Sequence, residues 1–286
     1  MTNILTVDLE EWFVAENLRE NIQFRDWDRM SARVEDNTRK LLELFDTYHV
    51  RATFFVLGWI AERHPRIVRQ ISQAGHEIGC HSYQHRRVDT LDHDEFRRDT
   101  LKAVTAIAQA TGVTPVGYRA PSWSINSSIP WAFEILAELG FMYDSSIFPI
   151  KHDIYGEPSG PKRIFKMNLD NGKSLYEIPA STITLLGKNF PFGGGGYLRH
   201  APFWFTARMM RRINSEDRPV VVYIHPWEID ENHPRIQGLS LFQRFRQYGS
   251  IPTLVVKLEK LFREFDFFAA RDYIVTNMRK PIGFER

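Results

Sequence analysis

Short hydrophobic runs alternate along the chain with longer stretches whose apolar positions recur at helical spacing. This alternation predicts βα units around a parallel sheet or barrel. Ile4 to Asp8 reads as the first strand. Val34 to His49 carries Leu41, Leu42, Leu44 and Phe45 at amphipathic helical spacing, and Arg51 to Leu57 follows as a buried strand rich in β-branched and aromatic residues. A helix is predicted from Trp59 to Ala74, stopped by Gly75 as a left-handed cap, after which the strand HEIGC delivers HSYQH to a loop. The next helix runs from about Asp94 to Ala110 and ends at Gly112. Val116 to Tyr118 forms a short strand with RAPSWS just beyond its carboxyl end, and Ile129 to Leu139 reads as a fourth helix.

From about 148 to 200 the pattern weakens into Pro, Gly, Asn and Lys, broken by a strand at Ser174 to Pro179, so this stretch is read as a loop-rich insertion. The GGGG run at 193 to 196 offers backbone for close approach to a ligand, or simply a flexible turn. Pro202 to Ile213 is expected to be helical, Arg218 to Ile224 a strand, and Ile251 to Phe265 a closing helix.

Composition adds bounds. With 286 residues and 43% hydrophobic content, the chain can bury a substantial core, and one α/β domain over 1–286 is expected. Thirty-seven Lys and Arg against 35 Asp and Glu leave a charge of +2, too slight and too evenly spread for a nucleic-acid or membrane-surface footprint. The first ten residues run straight into a strand without a signal-type segment, and no apolar stretch approaches the ~18 residues of a membrane helix. A cytoplasmic, soluble protein is expected on those grounds. Cys80 is the single cysteine, which excludes an intrachain disulfide and reads as a small buried strand-end residue.

Four clusters each follow a predicted strand, the position where catalytic groups gather in α/β barrels. They are Asp8 with Glu10 and Glu11, His81 with His85, Arg119 to Ser122, and His225 with Trp227 and Glu228. HSYQH places two imidazoles four residues apart, so a helical or tight-turn backbone would aim both at one divalent cation. A carboxylate is a common third ligand. If the first strand stays extended, Asp8 and Glu10 project to one side and Leu9 and Glu11 to the other, which favours Glu10 as the ligand. The alternative is that Glu10 and Glu11 open a helix.

Taken in order, TVDLEE, HSYQH, YRAPSWS, YDSS and IHPWE resemble the motif series of the NodB-homology polysaccharide deacetylases, carbohydrate esterase family four. The tail, with HPRIQG at 233–238, resembles a subgroup found with exopolysaccharide and exosortase-type loci, and about 230–286 is then a family-specific extension. The resemblance implies an incomplete or distorted (β/α) barrel of about seven strands. It implies Asp8 as catalytic base, Glu10, His81 and His85 as metal ligands, Arg119 as the residue that steadies the base, and His225 as the acid. Leu9 departs from the adjacent-aspartate pattern, and the D-x-E spacing is similar to the branch that includes peptidoglycan deacetylases and allantoinases.

The implied reaction is hydrolysis of an N-acetyl group on an amino sugar, in a polysaccharide or in a lipid-linked or nucleotide-linked precursor, through metal-activated water. Zn²⁺ suits the ligand set, and Co²⁺, Ni²⁺ and Fe²⁺ tolerate it. By the same analogy a backbone N–H near Tyr143 stabilises the oxyanion, and Pro121 lies with the substrate-binding residues. Trp123 and Trp227 either stack on a sugar ring or pack in the core. Asp144 either orients a loop or tunes His225, and Glu228 pairs with Arg119, meets substrate or stays exposed. Two rival expectations are an allantoinase-like hydrolase of ureides or cyclic amides and an inactive carbohydrate-binding homologue.

Overall fold

The structure, a computed structural model, describes residues 1–152 and 156–278. Residues 153–155 of the expected insertion and 279–286 of the expected extension lie outside the described residues. In chain order the first half comprises β1 (Asn3–Leu9), α1 (Val34–Thr47), β2 (Thr53–Val56), α2 (Gly58–Arg63), α3 (Pro65–Gln73), β3 (Glu77–Cys80), α4 (His93–Thr111), β4 (Gly117–Tyr118), α5 (Trp131–Glu138) and β5 (Tyr143–Asp144). The second half comprises β6 (Phe165–Asn168), β7 (Ser174–Glu177), β8 (Thr182–Leu185), β9 (Lys188–Pro191), α6 (Gly195–His200), α7 (Phe203–Ser215), β10 (Val221–Ile224), α8 (Leu241–Tyr248), α9 (Thr253–Glu264), β11 (Phe267–Phe268) and α10 (Ala270–Asn277).

The main sheet runs β10-β1-β2-β3-β4-β5-β7-β6, parallel from β10 to β7, with β6 antiparallel at one edge and β11 pairing with the start of β1. It curls into a half-barrel whose end strands, β10 and β6, do not pair among the described residues. This is the incomplete barrel expected from the motif series, with more strands than seven because β6 and β11 join it.

Every residue of β1 is buried, so the strand faces packed material on both sides. Leu5, Val7 and Leu9 pack outward in the large core under the helices, together with Phe54, Val56, Ile78, Val222 and Ile224. Ile4 faces inward, where it meets Phe55, Tyr143, Ile178 and Val221 in a separate cluster that plugs the amino-terminal end of the barrel. Gly79 and Gly117 also face inward. A Cβ on Gly79 would lie 2.6 Å from the Phe55 ring, and one on Gly117 would overlap the Tyr143 ring, so the two missing side chains make room for the two aromatics.

Three elements differ from the sequence reading. The helix expected over 59–74 is broken in two, because Pro65 disfavours helical backbone at His64 (φ −125, ψ 49) and restarts the helix as its first residue. The region 148–200 does more than loop: β6 and β7 extend the main sheet, and β8 and β9 form a hairpin. The glycine run lies against β10, where Tyr223 N–H donates to the Gly193 carbonyl at 3.0 Å, and it is not a ligand-facing loop. Finally α9 does not close the chain. After it, β11 pairs with Asn3 and Ile4, and the first N–H groups of α10 donate to Thr53 Oγ1 and Glu77 Oε2 at 2.8 and 2.9 Å.

Gly58 begins α2 where it crosses α4, and a Cβ there would lie 2.6 Å from the Ala103 backbone Cα. Gly58→Ala therefore forces two helices apart and should cost about 1–3 kcal/mol, measured as a lower urea midpoint at unchanged slope. A midpoint equal to wild type would show that the contact yields freely.

Candidate active site

The period of two along parallel strands decides which side chains enter the barrel. On β1 the inward set is Ile4, Thr6, Asp8 and then Glu10, one step past the strand. Continuing the inward parity of β3 gives His81, of β4 gives Arg119, of β5 gives Ser145 and of β10 gives His225. Each lies at or just beyond a carboxyl end, so five strands deliver polar groups to one mouth above the apolar plug.

Glu10 Oε1 lies 3.0 Å from His81 Nε2 and 3.0 Å from His85 Nε2, and all three residues are nine-tenths buried or nearly so. Among the described residues they are the group placed to hold a metal ion, with candidate ligand atoms within 4.8 Å of one another. HSYQH is not helical. Ser82 and His85 adopt left-handed backbone (φ 64 and 56), and Ser82 Oγ accepts the His85 N–H at 3.0 Å, a tight turn that aims both imidazoles at Glu10.

His81 Nδ1 lies 2.7 Å from the Arg119 carbonyl oxygen, which can only accept, so Nδ1 carries a proton and donates it. A neutral imidazole then turns a lone pair on Nε2 toward the Glu10 carboxylate. Two acceptors 3.0 Å apart require a shared positive charge, and that donor set fits a divalent cation. Without a cation, protons bridge the same atoms instead: burial opposes ionisation of Glu10, but charge on His85 and His225 and hydrogen bonds from His81 and His85 outweigh it and hold the carboxyl well below its ordinary value.

Glu11 points the other way, as the strand period requires. It accepts the Arg33 and Val34 N–H groups at 2.7 and 2.9 Å, capping α1 from a distant segment, and burial pushes its carboxyl up to about 7. It helps seat α1 and does not face the cation position.

Asp8 is buried and pairs with Arg119, whose Nη1 lies 2.7 Å from Asp8 Oδ1 and 2.8 Å from Thr6 Oγ1. Arg119 Nε and Nη2 donate to the Ser145 carbonyl and hydroxyl at 3.2 and 3.0 Å, and its guanidinium lies over the Phe55 and Trp123 rings at 4.3 and 4.8 Å. His225 Nε2 sits 3.9 Å from Asp8 Oδ2. Its Nδ1 lies 3.1 Å from Glu228 Oε2, and Glu228 in turn contacts Arg199 Nε at 3.3 Å. Burial alone would lower the His225 pKa. Charge on Glu10, the hydrogen bond and charge of Glu228 and the charge on Asp8 reverse that and raise it to about 9.

These groups open into a cavity of about 830 Å³, lined further by Phe13, Trp27, Trp123, Tyr223, Phe242 and Arg246. Trp123 belongs to this lining, but three other expected contacts do not. Tyr143 is fully buried in the plug, its N–H donates to Val116 O at 3.3 Å and its hydroxyl to Glu77 at 3.0 Å, so neither is available to an oxyanion. Pro121 is buried at the head of a 3₁₀ turn and shapes the backbone instead. Trp227 stacks on the His225 ring (centroids 5.3 Å apart, 24° between planes) from behind, which orients the imidazole and leaves no face for a sugar. Asp144 faces outward and accepts from the Ser146 hydroxyl at 2.7 Å, orienting the loop after β5, with no contact to His225. Cys80 is buried at the end of β3, as expected, and burial pushes its thiol up.

Arg199 was not singled out in the sequence. It is an isolated arginine in α6, and only the fold reveals that Glu228 needs it. Ser145 lay within YDSS without being recognised as the clamp on Arg119.

Residues 23–143 match the family described as polysaccharide deacetylase, and residues 145–275 match a family described as a domain of unknown function (DUF3473). The peptidoglycan deacetylase of Helicobacter pylori is 36% identical over 108 residues, 38% of this chain and 36% of that protein. The chain thus spans about a third of that curated relative's length. Among solved structures, a Mycobacterium smegmatis protein assigned as a polysaccharide deacetylase superposes with TM-score 0.64 at 23% identity, covering 98% of this chain and 91% of that one. Puue allantoinase superposes with TM-score 0.61 at 16% identity over 97% and 91%. Both share the fold.

Two outcomes follow from the geometry. In protein freed of divalent metal, the His225 ring followed by NMR should keep its proton up to about pH 9, and Glu228→Gln should move the midpoint lower because an attractive charge is lost. An unmoved midpoint would deny the pairing. Arg119→Met strands a buried Asp8 carboxylate and should cost about 3–5 kcal/mol in denaturant unfolding, part of which the double variant Asp8→Leu/Arg119→Met recovers.

Proposed function

From the polysaccharide deacetylase domain over residues 23–143, we propose that this protein is a metal-dependent hydrolase that removes N-acetyl groups from an amino sugar, in a polysaccharide or in a lipid-linked or nucleotide-linked precursor. The observation that carries the reading is the convergence of Glu10, His81 and His85 within 4.8 Å beside the Asp8–Arg119 pair and His225. Glu10, His81 and His85 would hold the cation. One carboxylate and two imidazoles suit Zn²⁺, while Co²⁺, Ni²⁺ and Fe²⁺ take the same donors. Bound there, a divalent ion supplies Lewis acidity, which polarises an amide carbonyl and eases deprotonation of water near neutral pH.

The chain's own groups divide the proton transfers. Asp8 is the base that accepts a proton from the attacking water, and Arg119 fixes its orientation through Oδ1 so that Oδ2 faces the reacting centre. His225, oriented by Glu228 and Trp227, gives a proton to the departing amine. Trp123 offers a cavity wall to the apolar face of a sugar ring. A cavity of about 830 Å³ that runs from the catalytic groups to α8 has room for more than a small ureide, which favours a sugar over an allantoinase-type substrate. A pure binding protein would have no use for ligands, base and acid together.

Purified protein should release acetate from N-acetylated oligosaccharides, lose that activity to a chelator and regain it with Zn²⁺ or Co²⁺. His81→Ala should lose bound metal by elemental analysis and turnover with it. Acetate release that survives both treatments would remove the metal-dependent reading.

A further inference from the structure

The even charge of the whole chain conceals a local concentration. Between Glu231 and Glu259 there is no carboxylate, while Arg235, Arg244, Arg246 and Lys257 fall in that stretch. At its centre, α8 (LFQRFRQY) turns Leu241, Phe242 and Phe245 to solvent, 84%, 67% and 56% exposed, with Arg244 and Arg246 exposed between them. One edge of this helix, through Phe242, Gln243 and Arg246, lines the catalytic cavity.

The helix is firmly seated on its other side. Ser240 and Gln243 form a capping box at its start, and Asn17 Nδ2 donates to the Gln243 carbonyl at 2.9 Å from the neighbouring turn. Buried Arg199 donates to the Gly249 and Arg246 carbonyls at 2.7 and 2.9 Å. Side chains of this size left in water on a fixed helix, at a cavity mouth, mark an interaction surface.

Leu241 and Phe242 beside the exposed Arg244 and Arg246, with Glu16 and Glu20 standing on the cavity side of the helix, match the boundary of an anionic bilayer, where apolar side chains enter the acyl region and guanidinium groups meet lipid phosphates. No described helix is long and apolar enough to cross a membrane, so any association through α8 is with the surface.

We infer that α8 docks this protein on an anionic membrane surface and turns the cavity mouth toward it, so that the substrate is an amino sugar carried on a membrane lipid. The substrate half of this inference rests on the deacetylase reading, and the docking half does not. Three apolar side chains make a weak anchor alone, so binding depends on anionic lipid and falls with salt.

Co-sedimentation with vesicles tests this on the full chain. Wild type should bind vesicles of phosphatidylcholine mixed with phosphatidylglycerol, and bind phosphatidylcholine alone at least about tenfold more weakly. Leu241→Glu and Phe245→Glu, which lie outside the cavity lining, should weaken binding to the mixed vesicles about tenfold or more. Both should still release acetate from a soluble N-acetylated chito-oligosaccharide at the wild-type rate. Leu101→Glu, which alters an exposed leucine on α4, should leave vesicle binding unchanged. Equal binding by wild type and the α8 variants, or no binding by wild type, overturns the docking. So does a concentration-dependent dimer in sedimentation that Leu241→Glu dissolves, which would assign the surface to a second copy. Vesicle binding through α8 without acetate release would preserve docking and remove the deacetylase reading, and acetate release without vesicle binding would do the reverse.

Discussion

The Arg119 guanidinium is the brace on which the interior depends. It stands just past the end of β4 and reaches across the barrel to Thr6 and Asp8 on β1, which is separated from β4 in the sheet by two strands, while Ser145 holds its other edge. A charge buried this deeply is tolerable only because its donors find oxygen acceptors and aromatic rings cover it. The same residue's carbonyl orients His81, so one position ties Asp8, a candidate ligand and the loop after β5 into a single arrangement. In an open half-barrel, where the end strands do not pair, such a cross-link replaces rigidity that closure would provide.

Much of the site was legible because strand parity is a local property. Extending β1 by two residues separated Glu10 from Glu11, and the structure gives Glu11 the separate task of capping α1. What a strand period cannot reveal is the partner across the barrel or behind a ring. Glu228 was recognised as a candidate, yet its partners, His225 and Arg199, come from its own turn and from a helix about thirty positions earlier. Trp227 and Tyr143 looked like contacts because they sit in the right motifs, but Tyr143 lies deeper on the inward face, in the plug, and Trp227 is stacked on His225, so both ended among buried aromatics. The break at Pro65 could have been read from the chain, since the residue before a proline resists helical geometry. Two-residue strands such as β4 and β5 leave almost no periodic signal, and only the motifs after them pointed to their place.

The two family ranges contribute to one centre. The range similar to polysaccharide deacetylases supplies His81, His85 and Arg119. Asp8 and Glu10 precede it, and the range of unknown function supplies His225, its orienting neighbours and the wall formed by α8. Return of the chain through β10 to pair with β1 makes this possible, since it brings His225 beside Asp8 from more than two hundred residues away. The second range thus lines the candidate site as well as completing the architecture, while the three candidate ligands lie outside it.

Pairing of β11 with Asn3 and Ile4 sets the beginning of the first strand beside the last. Both lie on the amino-terminal side of the sheet, on the far side of the apolar plug from the mouth. A fluorescent label, purification handle or carrier protein joined just ahead of Asn3 would therefore emerge at the base of the barrel and leave the approach to the candidate site clear. Removing β11 to shorten the chain would expose an edge of β1, the strand that carries Asp8.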